Sequence, residues 1–205
     1  MKIFIDTETT GLVKDWNNPL NSSNPDLVQL GFTVCDDNGR SIFTFGSLVI
    51  PYYDRDIDEG AFKAHGISKE MASEFGHDYA YVESVIHHWI NKCDTIVAHN
   101  LKFDKCVIQK AFCNIRLDDK KEYCTMLQCT NICKIVSNRS TYKWPKLEEA
   151  YMHFFSEELI GAQDALTDVM ACKRIYFEGL NNRQSKMPQS PKFIDTDSRL
   201  QHVVD

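Results

Sequence analysis

Asp6 and Glu8 stand two residues apart in the run Asp6-Thr7-Glu8-Thr9-Thr10-Gly11, at the end of an apolar stretch that starts at Lys2. Residues 3–5 read as a short buried strand that ends at these acids. Side chains two apart on a strand project to the same side, so the two carboxylates are held together. Gly11 permits a sharp backbone turn behind them. Carboxylates about 4 Å apart repel by roughly 4 kcal/mol at an effective dielectric of about 20. Fold stability rarely selects such a pair, whereas a divalent cation does.

Two more acids occupy comparable places. Asp104 falls in the first turn of the helix expected after His99-Asn100-Leu101-Lys102-Phe103, and Asp168 one turn into a helix that Asp164 is placed to cap. An acid in a first helical turn also complements the helix dipole. Taken singly, each of these two positions therefore has a structural explanation.

The elements that must carry these residues follow from periodicity and turn chemistry. A Pro/Asn/Ser-rich loop spans 15–26. Residues 27–35 and 42–50 read as strands joined by the turn Asp36-Asp37-Asn38-Gly39-Arg40, an antiparallel hairpin beside the first strand. Val82, Val85, Ile86, Trp89 and Ile90 keep helical spacing over 79–91, with Asp78 as the cap. Residues 95–98 form a short buried strand. Phe103, Val107, Ile108, Ala111 and Phe112 mark the apolar face of the next helix. Ala165, Leu166, Val169, Cys172 and Tyr176 mark another, over about 164–177. A hairpin-fed sheet that passes into strand–helix alternation predicts an α/β fold, a mixed sheet flanked by helices.

Composition sets wide bounds. The 205 residues suit one domain over 1–180, followed by a polar tail, 181–205, without clear period, read as flexible or as ordering on a protein partner. A net charge of −6 and a pI near 5.6 argue against coating nucleic acid by charge alone. They leave room for an enzyme that grips a few phosphates. Eight cysteines lack disulfide-framework spacing, and Cys124, Cys129 and Cys133 lack a CxxC pair, so they read as free thiols in a reducing compartment. With no apolar run able to span a bilayer and a strand beginning at residue 2, the expectation is a cytoplasmic protein with no membrane partner.

The four acids, in this order and setting, resemble the DEDD (DnaQ-like) 3′→5′ exonuclease superfamily. The first motif is Asp6-Thr7-Glu8-Thr9-Thr10-Gly11; the second is His99, Asn100, Phe103 and Asp104; the last is Gln163-Asp164-Ala165-Leu166-Thr167-Asp168. Ala64-His65-Gly66-Ile67-Ser68 is similar to a segment many members carry between the first two motifs. Trp144-Pro145-Lys146-Leu147-Glu148-Glu149 is similar to a helix start before the last. The resemblance implies an RNase H-like fold and two Mg²⁺ or Mn²⁺ ions roughly 3.5–4 Å apart hydrolysing phosphodiesters. Asp6 would bridge both ions, Glu8 and Asp168 would complete one, and Asp104 would hold the other through water. Mononucleotides would leave from the 3′ ends of single-stranded DNA or RNA, with DNA slightly favoured by the likeness to the proofreading-subunit and phage-type branch.

Further roles follow from the same resemblance. Leu12 and Phe103 would offer apolar surfaces to terminal bases, or belong to the core. Thr9, Thr10 and Asn100 would offer polar groups to the terminal sugar. His65 would shape the end pocket or satisfy a turn, and His99 would hydrogen-bond structurally. Arg139, Tyr142, Lys143, Trp144 and Lys146 interleave basic and aromatic residues as a strand-binding edge does, or form a solvated loop. In the histidine-bearing branch the general base stands five residues before the last aspartate, where this chain has Gln163. An amide orients water but accepts no proton, and general-base catalysis contributes roughly 10²–10⁴-fold. Three explanations stay open: an engineered substrate trap, a slow natural variant, and a former nuclease kept as a silent end-binding or polymerase-associated module.

Overall fold

The computed structural model describes residues 1–50, 55–137 and 141–181. Five strands form one mixed sheet: β1 (Lys2–Thr9), β2 (Leu27–Cys35), β3 (Ser41–Leu48), β4 (Thr95–Ala98) and β5 (Lys121–Cys124). Their order is β3-β2-β1-β4-β5, antiparallel across the first three and parallel from β1 through β5. The helices are α1 (Glu59–His65), α2 (Lys69–Phe75), α3 (Tyr79–Ile90), α4 (Leu101–Ala111), α5 (Thr125–Cys133), α6 (Leu147–Phe155) and α7 (Ala165–Arg174). The mixed sheet flanked by helices is the α/β, RNase H-like arrangement expected.

Strand alternation builds two cores. Ile3 and Ile5 of β1 join Leu30, Phe32 and Val34 of β2 against Val82, Ile86 and Ile90 of α3 and Val107 and Ile108 of α4. Phe4 points the other way, into Val169 and Cys172 of α7 and Leu147 and Ala150 of α6. Asp6 and Glu8 share the parity of Phe4 and therefore lie on the α7 side. The hairpin turn is as expected, with Asp36 Oδ1 accepting from the Asn38 and Arg40 amides and Gly39 at φ +85°. Asp78 caps α3 through the Tyr81 amide, and Asp164 caps α7 through the Thr167 amide.

Several expected boundaries move. β1 does not stop at residue 5 but continues to Thr9, because β2 pairs with it across its whole length, whereas β4 pairs only with Lys2, Ile3 and Phe4. Asp6 and Glu8 thus lie within a strand whose β4 side is open. The second hairpin strand spans Ser41–Leu48 rather than 42–50. Gly11 bends the chain without a left-handed φ; a Cβ there would meet the Asp58 carboxylate at 2.3 Å. The last helix changes at Ile175 to a π-helical segment, Ile175–Asn181, which takes in the first residue assigned to the tail. Residues 182–205 of that tail, and Arg139, lie outside the described residues. β5, α1, α2 and α5 were unanticipated: β5 carries a lysine and a glutamate in four residues, and α1 buries no residue at all.

Gly31 sits in the middle of β2, opposite Asp6 in register. A Cβ there would come within 2.5 Å of the Ala165 backbone, so α7 rests directly on the sheet at this point. Glycine inside a strand marks such an approach. Gly31→Ala must push a helix backbone rather than a pliable side chain. It is expected to cost about 1–3 kcal/mol, measured as a lower urea midpoint at unchanged m-value.

Candidate active site

Three carboxylates converge on the α7 face of the sheet. Ligand-capable atoms of Asp6, Glu8 and Asp168 all lie within 4.8 Å of one another. β1 supplies the first two by its alternation. α7 supplies the third because Gln29, opposite Glu8 in β2, clamps the start of that helix. The Gln29 side chain donates to Asp164 Oδ1 at 2.8 Å and accepts from the Ala165 amide at 3.0 Å. Asp164 also accepts from the Thr167 amide and hydroxyl. Together with the Gly31 contact, this clamp fixes where Asp168 stands.

Asp104 arrives from the other face. α4 begins where β4 ends, beside the part of β1 that β4 leaves unpaired, so its first turn reaches the neighbourhood of Asp6. The Asp104 carboxylate is buried, and its Oδ1 accepts from the Thr7 hydroxyl at 2.9 Å. It lies outside the three-carboxylate ring but is the neighbour whose charge weighs most on Asp6. Thr7, which sequence reasoning passed over, shares no parity with the acids and anchors the fourth one from the opposite side of β1.

The electrostatics are those of like charges crowded together under burial. Burial, and then the charges of Asp104, Asp168 and Glu8, push the Asp6 carboxyl well above the carboxylate range. Burial, with Asp168 and Asp104, raises Glu8 to about 8. Burial raises Asp104 to about 7 despite the Thr7 hydrogen bond. Asp168 rises to about 6 through burial, opposed by the Gln163 amide. Its Oδ1 is buried with no hydrogen-bond partner, an arrangement that costs about 1–3 kcal/mol or more for a charged group. Clustered, desolvated carboxylate oxygens with an unsatisfied member fit a hard divalent cation, which takes oxygen ligands.

The remaining candidates fall into place around this centre. Gln163 has φ +70° and gives its backbone N–H to Asp168 Oδ2 at 3.1 Å, so the main chain at this position orients an acid. His65 accepts the Ile67 amide on Nδ1 and therefore donates from Nε2 to the Thr9 carbonyl at 3.1 Å; it is a satisfied turn residue that ties α1 to the end of β1. His99 is buried between the Thr125 hydroxyl and the Pro145 carbonyl, both at 3.0 Å, as expected of a structural histidine. Thr9 and Thr10 are buried. The Thr9 hydroxyl donates to the Gly11 carbonyl, and that of Thr10 accepts from the Asp26 amide, so both are committed inside the fold. Leu12 is 77% exposed, Asn100 is exposed at the N-cap of α4, and Phe103 is half-buried with its ring 6.5 Å from Trp16.

Comparison with known proteins bears on this geometry. The RNase T family, described as exonuclease, matches residues 3–176. The fold superposes on Escherichia coli Exonuclease I in complex with a dT13 oligonucleotide, at TM-score 0.70 and 19% identity over 90% of this chain and 41% of that one. It also superposes on Exonuclease I from Methylocaldum szegediense, at TM-score 0.67 and 20% identity over 90% and 41%. The chain thus spans about two fifths of the length of these structures. No curated protein sequence matches.

The raised carboxyl groups make the metal-free fold sensitive to pH. Each holds its proton more tightly folded than unfolded, so its stabilising contribution is complete below pH ~4 and is lost as pH rises toward 8. Thermal unfolding in EDTA should therefore show a midpoint that falls between pH 5 and pH 8. Asp6→Asn should raise the midpoint at pH 8, and Mn²⁺ should stabilise the parent more at pH 8 than at pH 5.5.

Proposed function

We propose, on the premise that this chain belongs to the RNase T exonuclease family, that it hydrolyses phosphodiesters from the 3′ ends of single-stranded nucleic acid and releases mononucleotides. The observation that carries this is the meeting of Asp6, Glu8 and Asp168 around an unsatisfied buried oxygen, with Asp104 beside them. Asp6, Glu8, Asp104 and Asp168 would hold two divalent cations, Mg²⁺ or Mn²⁺, four negative charges against four positive. Bound there, the cations would supply Lewis-acid polarisation of the phosphodiester and a lower pKa for the attacking water. DNA is favoured over RNA, in keeping with the bound dT13 and dA16 oligonucleotides of the Exonuclease I complexes.

The chain's own groups set the level of activity. Thr7 holds Asp104, and the Gln163 amide holds Asp168, so both acids are oriented before substrate arrives. The Gln163 side chain cannot take a proton from water. His65 and His99 have both ring nitrogens engaged, so neither replaces the missing base. Turnover is therefore impaired at Gln163. A silent end-binding module is the second reading, favoured by Gln163 alone; four acids whose crowding costs the fold stability weigh against it.

Digestion of a 3′-labelled oligonucleotide with Mg²⁺ and with Mn²⁺ separates the two. Gln163→His should raise turnover at least tenfold, and Asp6→Asn and Asp104→Asn should abolish it. No digestion by either the parent or Gln163→His would establish the binding module instead.

A further inference from the structure

Two exposed tryptophans line one cleft, and neither belongs to the carboxylate site. Trp16 is 42% exposed and is carried by the loop between β1 and β2. That loop is stiffened from within: buried Asn24 accepts the Lys14 and Asp15 amides and donates to the Asp15 and Asn18 carbonyls. Asp15 in turn accepts from the Asn17 and Asn18 amides. Trp144 is 64% exposed and precedes Pro145, whose carbonyl is pinned by His99. Both indoles are thus presented on fixed backbone. Both line a cleft of about 890 Å³ together with residues of α4 and α5 such as Leu101 and Leu127. The cleft reaches Asn100, the cap of the helix whose first turn carries Asp104.

Charge identifies the occupant. Lys105 is matched by Asp118 and Glu122, and Lys143 and Lys146 by Glu149 and Glu148. Lys102 makes no ion pair with a described residue and lies 4.8 Å over the Trp16 ring. The cleft therefore offers two stacking planes and one uncompensated cation, and it starts at the cap of the helix that carries Asp104. We propose that it is the track for the unpaired strand behind the scissile end, with bases stacked on Trp16 and Trp144 and a phosphate at Lys102. This inference rests on the exonuclease reading above. It assigns the substrate class, a single strand several nucleotides long, to residues outside the three motifs that carry the acids. Stacking on aromatic planes tolerates any base, so the track selects for length rather than sequence.

The test is anisotropy of 5′-fluorescein-labelled (dT)8 and of a labelled dT dinucleotide, with Ca²⁺ replacing Mg²⁺ to hold off cleavage. Trp16→Ala and Trp144→Ala should each weaken (dT)8 binding by about fivefold to about a hundredfold, narrowing its advantage over the dinucleotide. Trp16→Phe and Trp144→Phe should stay within about threefold of the parent, with circular dichroism checking that every variant is folded. Lys102→Gln should lower the slope of log affinity against log salt by about 0.7. Folded alanine variants that bind (dT)8 like the parent overturn the track and leave the cleft to a protein partner. Tryptophan-dependent binding without digestion by the parent or by Gln163→His sinks the catalytic reading and leaves the track standing.

Discussion

Carboxylates that repel one another stay together here only because the backbone beneath them has nowhere else to go. Asp6 and Glu8 are spaced by the strand itself, and β2 pairs with β1 along its full length. Asp168 is carried on a helix seated directly on Gly31 and clamped by Gln29 through Asp164 and Ala165. The cost is visible in proton affinities: Glu8 is driven to about 8 and Asp104 to about 7, chiefly by burial. Rigidity around an unfavourable charge arrangement is what a preorganised site requires, because the energy is supplied in folding rather than at the moment of reaction.

The two cores divide this work. The α3/α4 side buries Ile3, Ile5 and Phe32 and brings the start of α4 to the open flank of β1. The α6/α7 side buries Phe4 and positions Asp168 above the same strand. β1 is the shared member, with alternate residues facing opposite layers. Thr7 and Asp6, adjacent in sequence, therefore attach the site to different cores. His65 and His99 lie in motif segments yet act as fasteners, one closing α1 onto the end of β1 and the other fixing the segment before α6. Both rings have their two nitrogens engaged within the fold.

Much of the sheet was legible because its signals are local. The hairpin turn has Asp36 and Gly39 where the geometry needs them, and the caps Asp78 and Asp164 precede clear helical spacing. β5 and α1 were missed for the opposite reason: one is short and charged, and the other buries no residue and is fastened by the His65 ring rather than by an apolar stripe. The end of β1 was misplaced because its apolar run stops at Ile5, while pairing with β2 carries the extended backbone on to Thr9.

The sequence by itself determined that Asp6 and Glu8 stand at strand spacing and that Asp104 and Asp168 stand at helix starts, because alternation and capping are local properties. It also determined that residue 163 carries an amide, which no fold can turn into a base. Only the tertiary structure decided which acids form the inner ring, that Thr7 and Gln163 hold Asp104 and Asp168, and that Trp16 and Trp144 face one cleft. Those facts depend on contacts between residues separated by up to 136 positions, as between Gln29 and Ala165, and on steric allowances such as a missing Cβ at Gly31. Local pattern carries no record of them, because packing of one layer on another creates them.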